Sequence, residues 1–157
     1  MRLTTAQRTL LDEARRAVLA TVAADGRAEL VPICYGIARA THVGASLVLY
    51  TPIDEKPKQG TDPMRLGRVR NLVARPAVAV LVDRWAEDWT RLAWLRLEGH
   101  ARILPAGEVE SPSVTSDERA AAIAALRARY PQYRAQALET RPLVRIDVTR
   151  VVAWSAR

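Results

Sequence analysis

A chain of 157 residues with 49% hydrophobic and 26% charged side chains has the make-up of one compact globular domain, residues 1–157, and not of a disordered segment. Its single cysteine, Cys34, excludes an intrachain disulfide and a cysteine-rich zinc site, and no apolar run approaches the ~18 residues of a membrane span. The charged N-terminus lacks the pattern of a signal peptide, so a cytoplasmic protein is expected.

In chain order, Thr4 and Gln7 have capping-box spacing and predict a helix over about residues 5–15. The period then shifts to that of strands: Ala17–Ala23, a hairpin turn at Asp25-Gly26, and a return strand over Ala28–Ile37. Pro32 inside that return strand marks an edge or a bulge, because proline has no amide to donate to a ladder. A loop through His42 and Gly44 leads to a strand at Ser46–Thr51, and residues 52–62 are loop by composition. Asp62 with Pro63 starts a helix that Pro76 ends.

Val78–Asp83 is almost continuously apolar and predicts a central strand; a polar segment with two tryptophans follows. Arg91–Leu104 alternates, with Leu95, Leu97, Gly99 and Ala101 on one face and Trp94, Arg96, Glu98 and His100 on the other. Thr115 with Glu118 repeats the capping signal for a helix to about Tyr130, Pro131 kinks it or begins a second short helix to Leu138, and Leu143–Trp154 is the last strand. Six strands not regularly interleaved with helices argue against a doubly wound parallel sheet. The expected fold is mainly β with α, an antiparallel barrel carrying peripheral helices.

Chemistry carried by the protein's own side chains is hard to find. No GxSxG elbow, HExxH, Walker or GxGxxG pattern occurs, and the two histidines, His42 and His100, lie in unrelated settings. No metal site is expected, no catalytic residue is assigned, and Cys34 reads as a buried, inert thiol.

Charge is more informative. The net +7 concentrates in residues 56–75, where Lys56, Lys58, Arg65, Arg68, Arg70 and Arg75 face Asp62 alone. Two readings stand: a site for a phosphate or polycarboxylate, or a solvated basic helix face with a basic loop. Trp85, Trp89 and Trp94 are either core residues or the wall of a ligand site or interface. The local excess, with no recognition-helix motif, argues against nucleic acid as partner.

Taken in order, ATVAADGRAELVPICY, LVLYTPIDEKPK, MRLGRVRNLVARPAVAVLVDRWAEDW and RIDVTRVVAWSA resemble the F420-dependent branch of the pyridoxamine-phosphate-oxidase-like family of flavin and deazaflavin oxidoreductases. The resemblance covers nearly the whole chain. It implies a six-stranded antiparallel split β-barrel, a homodimer, and two cofactor sites at the subunit interface. The implied cofactor is the deazaflavin F420, with FMN as the alternative. By the same resemblance Lys56, Lys58, Arg68 and Asn71 stand near the phosphate. Val31, Pro32, Ile33, Cys34, Tyr50 and Thr51 border the ring system, and Trp89 reaches in from the partner subunit.

The implied activity is hydride transfer between reduced deazaflavin and a small oxidised organic substrate, with the hard chemistry carried by the cofactor. An FMN-dependent oxidase or reductase is the competing enzyme reading. A non-enzymatic F420 carrier is the competing reading from another class.

Overall fold

The computed structural model describes residues 3–37, 47–53, 62–107 and 116–156. Lys56, Lys58, His42, Gly44 and Thr115 lie outside the described residues.

The opening helix, α1 (Thr5–Glu13), forms the expected capping box: the Gln7 amide donates to Thr4 Oγ1 at 3.2 Å, and the Thr4 amide to Gln7 Oε1 at 3.0 Å. It buries Leu10 and Leu11 and stops two residues earlier than expected, because Ala14 turns to extended backbone. Strands β1 (Ala17–Val22) and β2 (Ala28–Ile33) make the hairpin. Gly26 takes the left-handed φ of 88° that its turn requires, and the Asp25 carboxylate accepts from the Arg27 amide at 3.1 Å.

The return run is not one strand. It breaks at Cys34-Tyr35, and Gly36–Ile37 continues as β3, so the described residues hold seven strands and not the expected six. The break has a local cause. The Tyr35 amide donates to the Tyr130 hydroxyl at 3.0 Å and not to a ladder partner, while β2 pairs with β1 and β3 pairs with β4 (Val48–Pro52).

Asp62 caps a short 3-10 turn, Pro63–Arg65, and not the helix itself. Leu66 is extended, and α2 runs separately from Gly67 to Ala74. Next come β5 (Ala77–Arg84), a 3-10 turn at Trp89–Arg91, β6 (Ala93–Leu104), α3 (Ser116–Arg129), two 3-10 turns, and β7 (Leu143–Ser155).

All pairings are antiparallel, in the order β2-β1-β5-β6-β7-β4-β3. The two edges, β2 and β3, are consecutive in the chain. A flat sheet of seven strands would hold its edges ~29 Å apart. Ile33 and Gly36 are three peptide steps apart, at most ~11 Å. The sheet therefore curls into a half-barrel whose edges meet at Cys34-Tyr35.

Two apolar clusters follow from this curl. The interior is filled by Leu19, Leu49, Val80, Leu95, Leu97 and Ile146, and is plugged by Leu10 and Leu11 of α1 and Val69 and Leu72 of α2. On the opposite face of β4 and β7, α3 covers Val48, Tyr50 and Leu143 with Ala122, Ile123 and Leu126. Strand β4 is thus buried on both faces.

Strand β5 is central, as its apolar run predicts, but only one side is enclosed. Val78, Val80 and Val82 point inward while Leu81 is 40% exposed. At the Glu98/Gly99 bulge β6 and β7 approach so closely that a Cβ on Gly99 would sit 2.1 Å from the Asp147 carbonyl oxygen.

Candidate functional site

The joint where the sheet edges meet carries four of the residues assigned by resemblance. Val31 is half-buried against the interior cluster, Pro32 is exposed opposite Val18, Ile33 is buried, and Cys34 packs against the α3 cluster. Pro32 lies on an edge strand, as its missing amide demands.

On β4, Tyr50 and Thr51 are both buried but face opposite sides, as successive strand residues must. Tyr50 lies under α3, where its hydroxyl donates to Glu118; Arg145 donates to the same carboxylate and at 2.7 Å to Asp147. Burial, and then the hydrogen bond to Glu118, pushes the Tyr50 phenol above its ordinary value, so it stays a proton donor.

Helix α2 sits over the β1–β2 hairpin. The Asn71 amide nitrogen donates to Thr21 Oγ1 at 3.1 Å and to Glu29 Oε2 at 2.8 Å. Glu29 also approaches Gly67 at the start of α2. Sequence reasoning missed Glu29, although its register opposite Thr21 behind the Asp25-Gly26 turn placed it on the inner face of β2.

Arg68 is half-buried, one turn before Leu72, while Arg65 and Arg70 are exposed. Arg75 is engaged elsewhere: it donates to the Ala23 and Ala24 carbonyls at 3.0 and 3.2 Å and ties α2 to the hairpin turn. The described part of the basic window therefore leaves Arg65 and Arg70 exposed and Arg68 half-buried, with Arg68 one turn before Asn71 on α2.

Trp89 is not near this group within one chain. It is 70% exposed in the 3-10 turn beyond the far end of β5, whereas α2 precedes the near end. An eight-residue strand separates the two by ~25 Å. His100 lies exposed on β6, and among the described residues no three His, Cys, Asp or Glu side chains converge as metal ligands would. No helix among them is long and apolar enough to cross a membrane.

Comparison with known proteins bears on this architecture. No curated protein matches the chain. Among solved structures, the haem storage protein HutZ from Vibrio cholerae aligns with TM-score 0.62 and 18% identity, covering 99% of this chain and 95% of that one. An F420 reductase aligns with TM-score 0.59 and 20% identity, over 96% of this chain and 98% of its own. A FAD-binding protein from Mesorhizobium loti aligns with TM-score 0.60 and 21% identity, over 96% and 94%. At such identities these likenesses speak for the fold.

The family description pyridoxamine 5'-phosphate oxidase matches residues 3–155. That match extends from α1 through the curled sheet to the end of β7, and the chain belongs to the pyridoxamine 5'-phosphate oxidase-like family.

Proposed function

We propose that the chain is an F420-dependent reductase that works as a homodimer and passes hydride between reduced deazaflavin and a small oxidised organic substrate. The observation that carries this reading is the local basic excess of residues 56–75 in a chain of this family. F420 has a phosphate and a polyglutamate tail, so it asks for more cationic surface than a bare flavin mononucleotide. Arg68 fits such an anion, since guanidinium donates to phosphate and carboxylate in pairs. The F420 reductase among the structural neighbours agrees with it.

In this reading the cofactor supplies the hydride. The chain's own residues bind and orient. Lys56 and Lys58, with Arg68, hold the phosphate end. Asn71 keeps α2 in place through Thr21 and Glu29. Val31 to Cys34 offer an apolar border to one face of the ring. The Tyr50 phenol, held by Glu118, stiffens β4 beside Thr51.

A second copy of the chain is part of the proposal. The outer face of β1, β2, β5, β6 and β7 exposes Leu30 at 67% on the β2 edge, Leu81 on β5, and Trp154 across the sheet on β7. Its charges are in part internally paired: Arg96 pairs with Glu98 at 2.8 Å, and Arg150 reaches the same carboxylate at 3.2 Å. An apolar patch with internally paired charges suits contact with another protein surface. A partner also removes the ~25 Å separation of Trp89 from α2.

The test is a side-by-side titration of purified protein with F420 and FMN, at low and at high salt. Saturable F420 binding that weakens with salt is expected, followed by turnover on an acceptor panel. FMN binding at least as tightly, with no saturable F420 signal, transfers the assignment to FMN. Tight F420 binding without turnover on any acceptor makes the protein a carrier.

A further inference from the structure

Asn71 is 8% exposed, and its side-chain nitrogen has two acceptors, Thr21 Oγ1 at 3.1 Å and Glu29 Oε2 at 2.8 Å. A neutral oxygen would serve in the second place as well as a carboxylate does, just as the Thr21 hydroxyl serves in the first. Holding Asn71 therefore needs the acceptor of Glu29 but not its negative charge. That charge comes from outside residues 56–75, so it adds an acid to a basic window whose own sequence contains only Asp62.

Gly67 lets the acid come close. The Glu29 carboxylate oxygen lies 3.4 Å from where a Cβ on Gly67 would stand. Gly67 opens α2, and Leu66 before it offers no side-chain cap. The positive end of the α2 dipole thus has a carboxylate of the protein itself beside it. Arg68 is the next residue of α2. Along β2, Glu29 shares its face with Val31 and Ile33, two and four positions further on. The acid therefore stands between the residues assigned to the ring and those assigned to the phosphate.

We propose that Glu29 is a specificity residue that tilts the cofactor site away from a phosphomonoester and toward a phosphodiester. The inference rests on the cofactor assignment made above, and it holds for a flavin or a deazaflavin ring. Repulsion between Glu29 and a phosphate grows in proportion to the phosphate's charge. A monoester carries about two negative charges at pH 8, because its second proton leaves near pH 6. A diester has no second proton to lose and carries one. Arg68 attracts both, while Glu29 disfavours the monoester about twice as strongly in free energy.

The test uses ligands that differ only in charge: the ribityl alcohol, its 5'-methyl phosphodiester and its 5'-phosphomonoester, each on a flavin and on a deazaflavin ring. Affinities are measured at pH 8 and low salt. Glu29→Gln keeps an acceptor for Asn71 and removes the charge. It should tighten the monoester about tenfold and the diester about threefold, and leave the alcohol unchanged. Thr21→Val removes the other acceptor of Asn71 without altering charge, and should produce no graded change. Glu29 is exposed, so its variant should fold, and circular dichroism checks both. Equal shifts for all three ligands, no shift, or a graded gain in Thr21→Val would overturn the inference while leaving the cofactor assignment standing. Failure of every ligand to bind the native protein would remove the assignment and the inference together.

Discussion

Arg15 and Arg129 each hold the end of the other's helix. The Arg129 side chain donates to the Leu11 carbonyl at 3.0 Å and to the Ala14 carbonyl, at the C-terminal end of α1. Arg15, just past α1, donates back to the Arg129 carbonyl, the last of α3. Cations at helix C-termini meet the negative end of the dipole and satisfy carbonyls that lack helical partners. The same Arg129 guanidinium stacks over Tyr35 at 4.6 Å, and Tyr35 is the residue at which β2 becomes β3. One side chain thereby joins two helix ends to the point where the half-barrel meets itself.

Loss of that guanidinium should be costly. Arg129→Ala removes charge-assisted hydrogen bonds worth about 1.5–3 kcal/mol each, although the Tyr35 hydroxyl still donates to the Leu11 carbonyl at 2.6 Å, so stability should fall by about 3 kcal/mol. Arg129→Lys should recover only part, since an ammonium cannot stack and fork at once. Urea unfolding with an unchanged slope and a lowered midpoint is the expected record.

Gly99→Ala should be among the most damaging single methyl additions in the chain. The new Cβ would meet the Asp147 carbonyl at 2.1 Å, a backbone atom that cannot swing away. Strands β6 and β7 would have to part at the bulge, for a cost of about 4 kcal/mol. Thermal unfolding of the variant, or its absence from the soluble fraction, reads the effect. Gly26→Ala, with open space around it but a positive φ, should cost only about 1 kcal/mol.

Two buried phenols make the fold sensitive to alkali. Burial raises both Tyr35 and Tyr50 above the ordinary phenol value. Such a group stabilises the folded state below the unfolded pKa of about 10, and that stability is lost as pH rises past it toward the folded value. Stability should therefore fall above about pH 10, and Tyr50→Phe should flatten that alkaline limb. At neutral pH the same variant should lose about 1 kcal/mol through the Glu118 hydrogen bond. A pH series of urea midpoints separates the two effects.

For the cofactor proposal, Lys58→Ala with Arg68→Ala should weaken F420 binding by about 1.5–3 kcal/mol for each charge-assisted hydrogen bond removed. Unfolding midpoints should hardly move. The salt dependence of binding should shrink in the double variant, because fewer counter-charges are released. An affinity equal to that of the native protein would be the disproof.

For the dimer, sedimentation at several concentrations should show the native chain as a dimer that dissociates on dilution. Trp94→Ala should shift that equilibrium toward monomer, and added cofactor should oppose the shift by mass action. A native monomer that binds cofactor at full stoichiometry would remove the shared site.

Much of this protein was legible as local pattern. The capping box at Thr4, the Asp25-Gly26 turn, the alternation of β6 and the bounds of β7 all depend on residues a few positions apart, where period and turn chemistry decide. Charge clustering in residues 56–75 is likewise a property of the chain itself. What tertiary structure alone decided is long-range. The run Ala28–Ile37 has strand propensity throughout, yet Tyr35 is drawn out of the ladder by Tyr130, ninety-five residues away, and so one strand became the two edges of the sheet. Arg75 looked like part of a basic face until the hairpin carbonyls were brought to it, and the contact of Glu29 with Asn71 exists only because α2 packs over the hairpin. Such pairings depend on which elements meet, and that is set by burial of the whole apolar pattern at once and not by any window of it.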